Sequence, residues 1–371
     1  MAELTKPQFA DADPAAVLKR LIERYEDLTD KVLQPAQPEQ LIINSLAYEI
    51  ALVLQSIQDT GLQMLVNYSR FPTLDYLGEL VGVTRLPASS AECTIEFSLD
   101  SAHTGTTIPF GTRVQSKDGK VTFQTDEVLE VPSGVYTASV KAVAQVGGES
   151  GNGYLVGEIS EILDPVALVI TATNTTTTSA GADEETDDAL RERIKLAPDA
   201  FSTAGPIGAY KFHAKSANAN IVDVAVLNTI PGQVDVYLID VDGPPVSAEV
   251  IAQVEEVLND EKVRPLTDTV VVQSAETELY SVEVVVTRLD GTIESDVESA
   301  VSDALYAYFD SIKVKFGSDV VPSKIASVVQ AVPGVYGVQV VSPTESITVA
   351  THKVPVLDEF ILTMNPVTQE G

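Results

Sequence analysis

The strongest constraint on the fold is a change of hydrophobic period near residue 91. Before this point, apolar residues recur at steps of three and four, which is typical of amphipathic helices. After it, apolar and polar residues alternate, and turn signals such as KDGK separate the runs, which is typical of antiparallel strands. The sequence therefore predicts a helical region over residues 1–90 and an antiparallel β domain over residues 91–180.

Two amphipathic helices are predicted in the first region. One covers residues 13–33, with Asp13 as N-cap and Pro14 at the first helical position, and the other runs from about residue 39 to 67. Their apolar stripes need cover, which either the two helices provide for each other or a partner helix provides. The predicted partner-interface residues are Leu18, Leu21, Ile22, Tyr25, Leu28, Leu46, Ile50, Val53, Leu54, Ile57 and Met64.

The rest of the chain mixes strand-like and helical patterns. The stretch TATNTTTTSAG reads as a polar joint, and beyond it a strand, an Asp-Gly turn and a helix occur twice, with Gly243 and Gly291 in equivalent places. This weak repeat predicts two small α+β units, over residues 181–275 and 276–371. The predicted fold class is therefore α+β multidomain, with N-terminal long helices, a middle antiparallel β domain and C-terminal small α+β units.

The charge balance restricts the expected partners. The chain has 23 basic and 54 acidic side chains, a net charge of −31. Such a surface repels phosphate backbones and anionic lipids, so neither nucleic acid nor a membrane is an expected partner. No signal peptide is recognised and no stretch approaches eighteen uninterrupted apolar residues, so we expect no transmembrane helix and a chain made in a cytoplasm.

No catalytic or metal-binding pattern is recognised. Cys93 is the only cysteine, and the three histidines are far apart in the sequence. GGESGNG lacks a glycine that a nucleophile elbow needs and has the wrong spacing for a dinucleotide loop. We therefore expect no catalytic residue, no cofactor and no metal.

The acidic run GADEETDDALRERI, residues 181–194, invites a metal-site interpretation. The acids come first and Arg191 and Arg193 follow, which matches the polarity of a helix dipole, and no histidine is near in sequence. The run is therefore predicted to begin a helix, with Asp183 as a capping candidate.

The same run, followed by STAGPIGAYKFHAKSANANIVDVAVLN, resembles the central part of the baseplate J-like family of contractile phage tails. Other segments follow in the family's order over about residues 40 to 350: TLDYLGELVGVTR, IPFGTRVQSKDGKVTFQTDE, GGESGNGYLVGEI, PGQVDVYLI, RPLTDTVVV and VPSKIASVVQAVPGVYGVQVVSP. The residues that carry the resemblance are expected to be structural: Leu74, Asp75, Gly82, Arg85, Gly111, Phe123, Gly151, Asn152, Leu190, Arg191, Arg193, Gly205, Gly232, Pro333, Gly334 and Val335.

The resemblance implies a structural wedge component of a baseplate, without enzymatic activity. It implies that the N-terminal helices join a second copy and a second baseplate wedge protein, and that residues 276–371 contact neighbouring wedges to close a ring around the hub, anchoring the sheath and transmitting the contraction trigger. Sheath and hub or spike proteins are further implied partners. The implied location is the tail baseplate of a virion or of a contractile injection particle, assembled in the bacterial host cytoplasm.

Two alternatives remain open at this point. A tail-associated polysaccharide hydrolase would need a carboxylate pair, which turns such as LDSAHTG and DVDG would have to supply. A receptor-binding tail protein would usually need long repetitive β segments, which the sequence lacks.

Overall fold

The computed structural model describes residues 5–35, 37–200, 205–260, 263–265 and 267–368. The chain divides into two compact units, each described by itself below. The first is Met1–Arg85 with Leu190–Lys195, and the second is Leu86–Ala189 with Leu196–Gly371.

The first unit contains three N-terminal helices, α1 (Pro14–Thr29), α2 (Pro38–Gln63) and α3 (Thr73–Glu79). The Asp13 side chain accepts a hydrogen bond from Ala15 N at 3.1 Å, which confirms the predicted N-cap. α2 ends four residues earlier than the predicted residue 67, because the backbone continues as tight turns in which Leu65 N donates to Leu62 O.

α1 and α2 pack on each other through a small contact. Its buried side chains are Val17, Ala47 and Ala51, and Leu18 and Leu54 are half-buried beside them. Alanine side chains let two helices approach closely, but they bury little apolar area. The contact therefore covers only part of the apolar surface of α2.

The predicted antiparallel β domain is present as a nearly closed barrel. Its strands are β1 (Glu92–Leu99), β2 (Gly105–Ile108), β3 (Arg113–Ser116), β4 (Thr122–Thr125), β5 (Leu129–Pro132), β6 (Thr137–Ala144), β7 (Ile159–Ile162) and β8 (Val169–Asn174). Six of them form one sheet in the order β7-β3-β4-β6-β1-β8, and β2 pairs with β5. Alternate residues of β1 point inward, so Ile95 and Phe97 are fully buried beside Phe123.

The central segment forms an α+β layer. It contains α4 (Asp187–Ala200), α5 (Ile207–Ala217), β9 (Ile221–Leu227), β10 (Gln233–Asp240), α6 (Ala248–Leu258) and β11 (Thr269–Ser274). β10 is the middle strand, antiparallel to β9 and parallel to β11. Val236 and Leu238 of β10 pack against Val254 and Leu258 of α6 to form the core.

The C-terminal segment forms a second α+β layer. It contains β12 (Glu276–Leu289), α7 (Glu294–Lys313), α8 (Pro322–Gln330), β13 (Val335–Ser342) and β14 (Lys353–Thr368). β12 is the middle strand, antiparallel to β13 and parallel to β14. Its buried face packs on Val301, Leu305 and Phe309 of α7.

The predicted repeat is real over one strand, one turn and one helix. Gly243 follows β10 and Gly291 follows β12, and both have a positive φ, of 83° and 79°. The two segments then diverge, because α6 leads to a parallel strand whereas α7 leads to a second helix and an antiparallel strand. The predicted fold class is confirmed.

Candidate interaction surface

α2 turns one stripe of side chains towards α1 and another towards solvent. Ala47 and Ala51 face α1, and Ile43 lies one turn away on the same side of the helix; all three are at most 9% exposed. The neighbouring stripe, at the same helical spacing, is exposed between 38% and 61%, and we call it the α2 apolar stripe: Ile42, Leu46, Ile50, Val53 and Ile57. On the far side of the polar residues Ser45, Glu49 and Ser56, further large side chains are exposed: Leu41, Tyr48 and Leu52.

The predicted partner-interface residues divide into two groups in the structure. The half-buried ones lie at or near the α1–α2 contact: Leu18, Leu21, Ile22, Tyr25 and Leu54. The exposed ones are Leu28, Leu46, Ile50, Val53, Ile57 and Met64. The sequence pattern did not single out Ile42, Tyr48 and Leu52, although their size and spacing on α2 could have identified them.

The chemistry of this surface is apolar with an acidic border. α2 contains three acidic residues and no basic one; Asp59 is paired with Arg70 at 2.8 Å, so Glu39 and Glu49 make up the border. A row of exposed aliphatic side chains along a helix is typical of a surface that another apolar surface covers. The border favours a partner that brings basic residues to the rim of the contact.

α2 is also the one described helix long and apolar enough to cross a membrane, judged by length and composition alone. Length and composition alone do not test the sequence-based expectation of no transmembrane helix, which stays a prediction. The polar residues that interrupt its apolar run, such as Asn44 and Glu49, hid this property from a search for uninterrupted apolar stretches.

The arginines of the LRERI motif bind main-chain carbonyls of the first unit. Arg191 donates from Nε to Val66 O and from Nη2 to Ser69 O, both at 2.8 Å. Arg193, which is 4% exposed, donates to Thr84 O at 3.2 Å. These bonds satisfy carbonyls in the turns that follow α2 and α3, so both arginines stabilise the helical unit.

The other residues that carry the family resemblance also occupy structural positions. Arg85 and Asp75 form a two-bond ion pair at 2.9 and 2.8 Å, and Arg85 holds the pKa of Asp75 below its usual value. Three of the apolar residues are fully buried: Leu74, Phe123 and Leu190. Val335 is 6% exposed, whereas Pro333 is exposed. A positive φ occurs at Gly82, Gly111, Gly205, Gly232 and Gly334.

The stretch predicted as a polar joint is ordered by side-chain amides. Asn152 brackets Gly181, accepting from its N–H at 2.9 Å and donating to its carbonyl at 2.8 Å. Asn220 donates to the same carbonyl at 2.7 Å, and Asn218 donates to Ala180 O at 3.3 Å. Because Asn152 lies between β6 and β7 of the barrel, and Asn218 and Asn220 directly precede β9, these bonds tie the barrel to the central layer.

A groove beside this joint is lined by several carboxylates. Glu149, Asp240 and Asp242 line it, and no basic side chain does. Burial, and then the charge of Asp242, raise the pKa of Asp240 to about 6. Burial, followed by the charges of Asp183 and Asp242, also raises the pKa of Glu149. The Asp100 carboxylate of the other acidic turn instead accepts from Ala102 N, as in an Asx turn.

The acidic run around residue 185 has structural roles. α4 begins at Asp187, and Thr186, rather than the expected Asp183, accepts from a first-turn amide, Ala189 N at 3.3 Å. Asp183 accepts from Glu149 N, and Glu185 is 3% exposed and accepts from Leu86 N. In the part of the chain that the structure describes, no group of three or more His, Cys, Asp or Glu side chains could hold a metal ion.

Three family models match the chain in sequence order. The baseplate J-like protein barrel domain matches residues 94–181, the baseplate J-like central domain matches residues 202–274, and the baseplate J-like protein C-terminal domain matches residues 280–362. Together they cover most of the chain, and the matched residues begin at 94. The barrel model coincides with the nearly closed β domain, and the other two coincide with the two α+β layers.

A curated relative and a solved structure illustrate what the chain is similar to. "Baseplate protein J" of Escherichia phage P2 is 30% identical over 177 residues, which are 47% of this chain and 58% of that protein. The alignment therefore spans less than two thirds of the relative. A chain of the cryo-EM structure of the anti-feeding prophage (AFP) baseplate, six-fold symmetrised, superposes with a TM-score of 0.45 at 15% identity, covering 92% of this chain and 90% of that one.

The order of the three matched domains follows the order of the barrel, the central layer and the C-terminal layer. The residues by which the sequence resembles the family lie at buried, turn or ion-pair positions in these layers and in the helical unit, as a shared scaffold requires. The chain belongs to the baseplate J-like protein family.

Proposed function

We propose that the chain is a wedge component that joins its neighbours into a ring around the hub of a contractile tail. Family membership makes it a structural component of a tail baseplate. Beyond that role, residues 1–90 bind a second copy and a second wedge protein, and residues 276–371 contact the neighbouring wedge. The ring anchors the sheath and transmits the contraction trigger. Sheath and hub proteins are its further partners, and no catalysis, nucleic acid or membrane is involved.

The observation that carries the proposal is the α2 apolar stripe. α2 has 26 residues and is about 39 Å long, and the stripe from Ile42 to Ile57 runs along about 23 Å of it. α1 covers only the face containing Ala47 and Ala51, and the side chains of the stripe remain exposed. Covering them with a partner helix removes apolar area from water without any change in the α1–α2 contact.

The ordered joint supports a mechanical role for the middle of the chain. The asparagine bonds around Gly181 link the barrel to the central layer, and Ser179 Oγ adds a bond to Glu249 of α6 at 2.8 Å. A displacement applied to one layer is therefore passed to the other through several hydrogen bonds. We propose that residues 91–275 act as a stiff connection between the helical contact and the ring contact.

A binding experiment tests the helical contact. The full chain is used as bait in an extract of its producing cells, and co-purifying proteins are identified by mass spectrometry. Wild type is expected to recover a second wedge protein. Leu46→Glu combined with Val53→Glu, which places charges on the α2 apolar stripe, is expected to lose it.

The control is Ser45→Glu combined with Ser56→Glu, which adds the same charge to exposed polar positions of the same helix. This control is expected to recover the partner as wild type does. Equal recovery by the stripe variant and the serine control would contradict the assignment of the contact to this stripe.

A second candidate function rests on the acidic groove. Two carboxyl groups with raised pKa values, Asp240 and Glu149, line one cavity, which is the kind of pair that hydrolysis of a glycosidic bond requires. The hydrogen bonds of Asp240 to its own turn favour a structural role instead, since its Oδ1 accepts from Asp242 N. Turnover of cell-wall or capsule polysaccharides by wild type, lost in Asp240→Asn, would support the hydrolase.

A further inference from the structure

β14 is a long strand at the edge of the C-terminal sheet. It pairs on one side with β12, in parallel, over residues from Lys353 to Thr368, and the sheet order ends with it. The beginning of the strand is covered on its other side, because Lys353 O accepts from Gly317 N and Val354 packs on Ile239. From Asp358 to Asn365, no described residue outside the sheet forms a backbone hydrogen bond with the strand.

The exposed part of this edge is held in place from the core side. Phe360 packs edge-on against Tyr306 and Phe309 of α7, with ring centroids 5.6 and 5.9 Å apart. Leu362 and Met364, on the same face, are half-buried against the same core. The alternate residues are exposed, Ile361 at 43%. The strand therefore presents a preformed edge that a further strand can extend at little ordering cost.

The composition of the edge is unusual for one that faces solvent. Native edge strands are commonly short or carry charged residues, especially lysine, which prevent pairing with other chains. The segment FILTMNP, residues 360–366, has no charge, although 21% of the residues of the chain are charged. Two features limit pairing, one at each end: the charges of Asp358 and Glu359 before the segment, and Pro366, which lacks an N–H.

We propose that this edge, Asp358–Asn365 of β14, pairs in an antiparallel manner with the same edge of a second copy. The proposal rests on the ring contact proposed above for residues 276–371 and specifies its atoms. Charge favours antiparallel over parallel pairing of two copies. Asp358 and Glu359 lie at one end, and in a parallel, in-register pair they would face the same carboxylates of the partner. In an antiparallel pair they face the uncharged end around Asn365.

The other edge of the sheet fits a second copy less well. β13 has eight residues, and the carbonyl of Tyr336 already accepts from Gln330 Nε2 at 3.3 Å. The free part of β14 also has eight residues, about 26 Å, with no such bond to a described side chain. A two-fold contact also uses the same surface twice, as is usual for dimers.

Self-association of the full chain tests the proposal. The Leu46→Glu, Val53→Glu background is used first, so that the helical contact is weakened and the remaining association reports on the C-terminal layer. This background is expected to form dimers over a concentration series in analytical ultracentrifugation. Adding Thr363→Lys is expected to weaken the dimer about tenfold or more. Each copy then contributes one lysine to the paired edge, and the two positive charges lie close together.

Two matched variants separate the outcomes. Thr344→Lys adds the same charge to an exposed loop of the same domain and is expected to leave the dimer unchanged. If Tyr336→Lys weakens the dimer and Thr363→Lys does not, the contact lies at β13 and the proposal is overturned. A background that stays monomeric at the highest concentration also overturns it. An unchanged association of the background relative to wild type would instead count against the helical contact alone.

Disulfide crosslinking tests the direction of pairing. Ile361→Cys, Thr363→Cys and Asn365→Cys are oxidised singly and in mixed pairs. Cys93 does not interfere, since it is buried and burial raises the pKa of its thiol to about 12. In an antiparallel pair, each residue faces one residue of the other copy, and the two residue numbers add up to the same total along the whole pair. Antiparallel pairing therefore predicts crosslinks only between cysteines whose residue numbers give that total. Crosslinks of each position with itself would show parallel pairing, and no crosslinks at all would show that the edges do not meet.

Discussion

The N-terminal helices and the β barrel bury apolar residues to different extents. In the barrel, Ile95, Phe97 and Phe123 are completely buried, and all of them are covered by residues of the same domain. In the helical unit, α2 buries Ala47 and Ala51 and leaves Leu46 and Val53 more than half exposed. The barrel therefore needs no partner for its stability, whereas the side chains of the α2 apolar stripe contribute to stability only when another surface covers them.

The barrel also completes its own hydrogen bonding where its sheet does not close. β7 and β8 are the ends of the sheet order, and the side chain of Asn174 bridges them. Its Oδ1 accepts from Gly157 N and Ile159 N, each at 2.9 Å, and its Nδ2 donates to Leu155 O and Thr176 O. All four hydrogen-bonding positions of a fully buried amide are thus used within the domain.

Replacing this amide is expected to have the largest effect on stability. Asn174→Leu removes the four hydrogen bonds of a fully buried amide and leaves the buried Ile159 N–H without its acceptor, so we expect a loss of about 4 kcal/mol in the free energy of unfolding. Chemical denaturation followed by circular dichroism measures it. Asn259→Leu, at the exposed end of α6, is the control and should change stability by less than about 0.5 kcal/mol. Similar losses in both variants would mean that the bridge does not close the barrel.

The joint after the barrel is expected to show the next largest effect. A Cβ on Gly181 would lie 2.5 Å from Gly148 O and 3.0 Å from Ala91 N, which are main-chain atoms that cannot move aside cheaply. Gly181→Ala is therefore expected to lower the free energy of unfolding by about 2 to 3 kcal/mol. Gly337→Ala is the matched control, since a Cβ there meets no atom within 4 Å. An unchanged midpoint in Gly181→Ala would show that the joint is looser than its hydrogen bonds indicate.

The elements of both regions follow from the period of their apolar residues, and their contacts follow less directly. Hydrophobic spacing identified α1, α2 and the strands. As a guide to contacts, however, it selects the largest apolar side chains. α1 instead packs on the alanine face of α2, because small residues allow close approach. Asn174 lies in a Thr-rich run whose composition favours a loop, and burial of its amide depends on the barrel bringing β7 and β8, the two ends of the sheet order, together, which no local pattern shows. The carbonyl contacts of Arg191 were hidden for the same reason, since its charge alone indicates a solvated position.

The pH dependence of stability is expected to be a smaller effect, confined to the region with the acidic groove. The folded-state pKa of Asp240 is raised to about 6, above its usual value in an unfolded chain of about 3.9. The folded state then binds the proton more tightly, so ionisation destabilises it, and stability is lost as the pH rises from about 4 through 6.

Asp240→Asn is expected to remove this part of the pH dependence. Denaturation midpoints between pH 4 and 7 measure the difference from wild type. Asp100→Asn, which removes one carboxylate from the other acidic turn, is the matched control. A variant profile parallel to that of wild type would contradict the raised pKa.

The smallest expected change tests the comparison between the two regions most directly. Leu46→Ala removes an exposed side chain of α2 and replaces it with the residue of highest helix propensity, so stability should change by less than about 0.5 kcal/mol. Leu62→Ala, on the same helix, removes a side chain that is 7% exposed and should cost about 2 to 3 kcal/mol. Thermal denaturation of the isolated chain measures both. If Leu46→Ala costs as much as Leu62→Ala, the stripe is already covered in the isolated chain, and the contrast with the barrel fails. If it costs nothing, yet weakens recovery of the wedge partner, the side chain acts in assembly and not in folding.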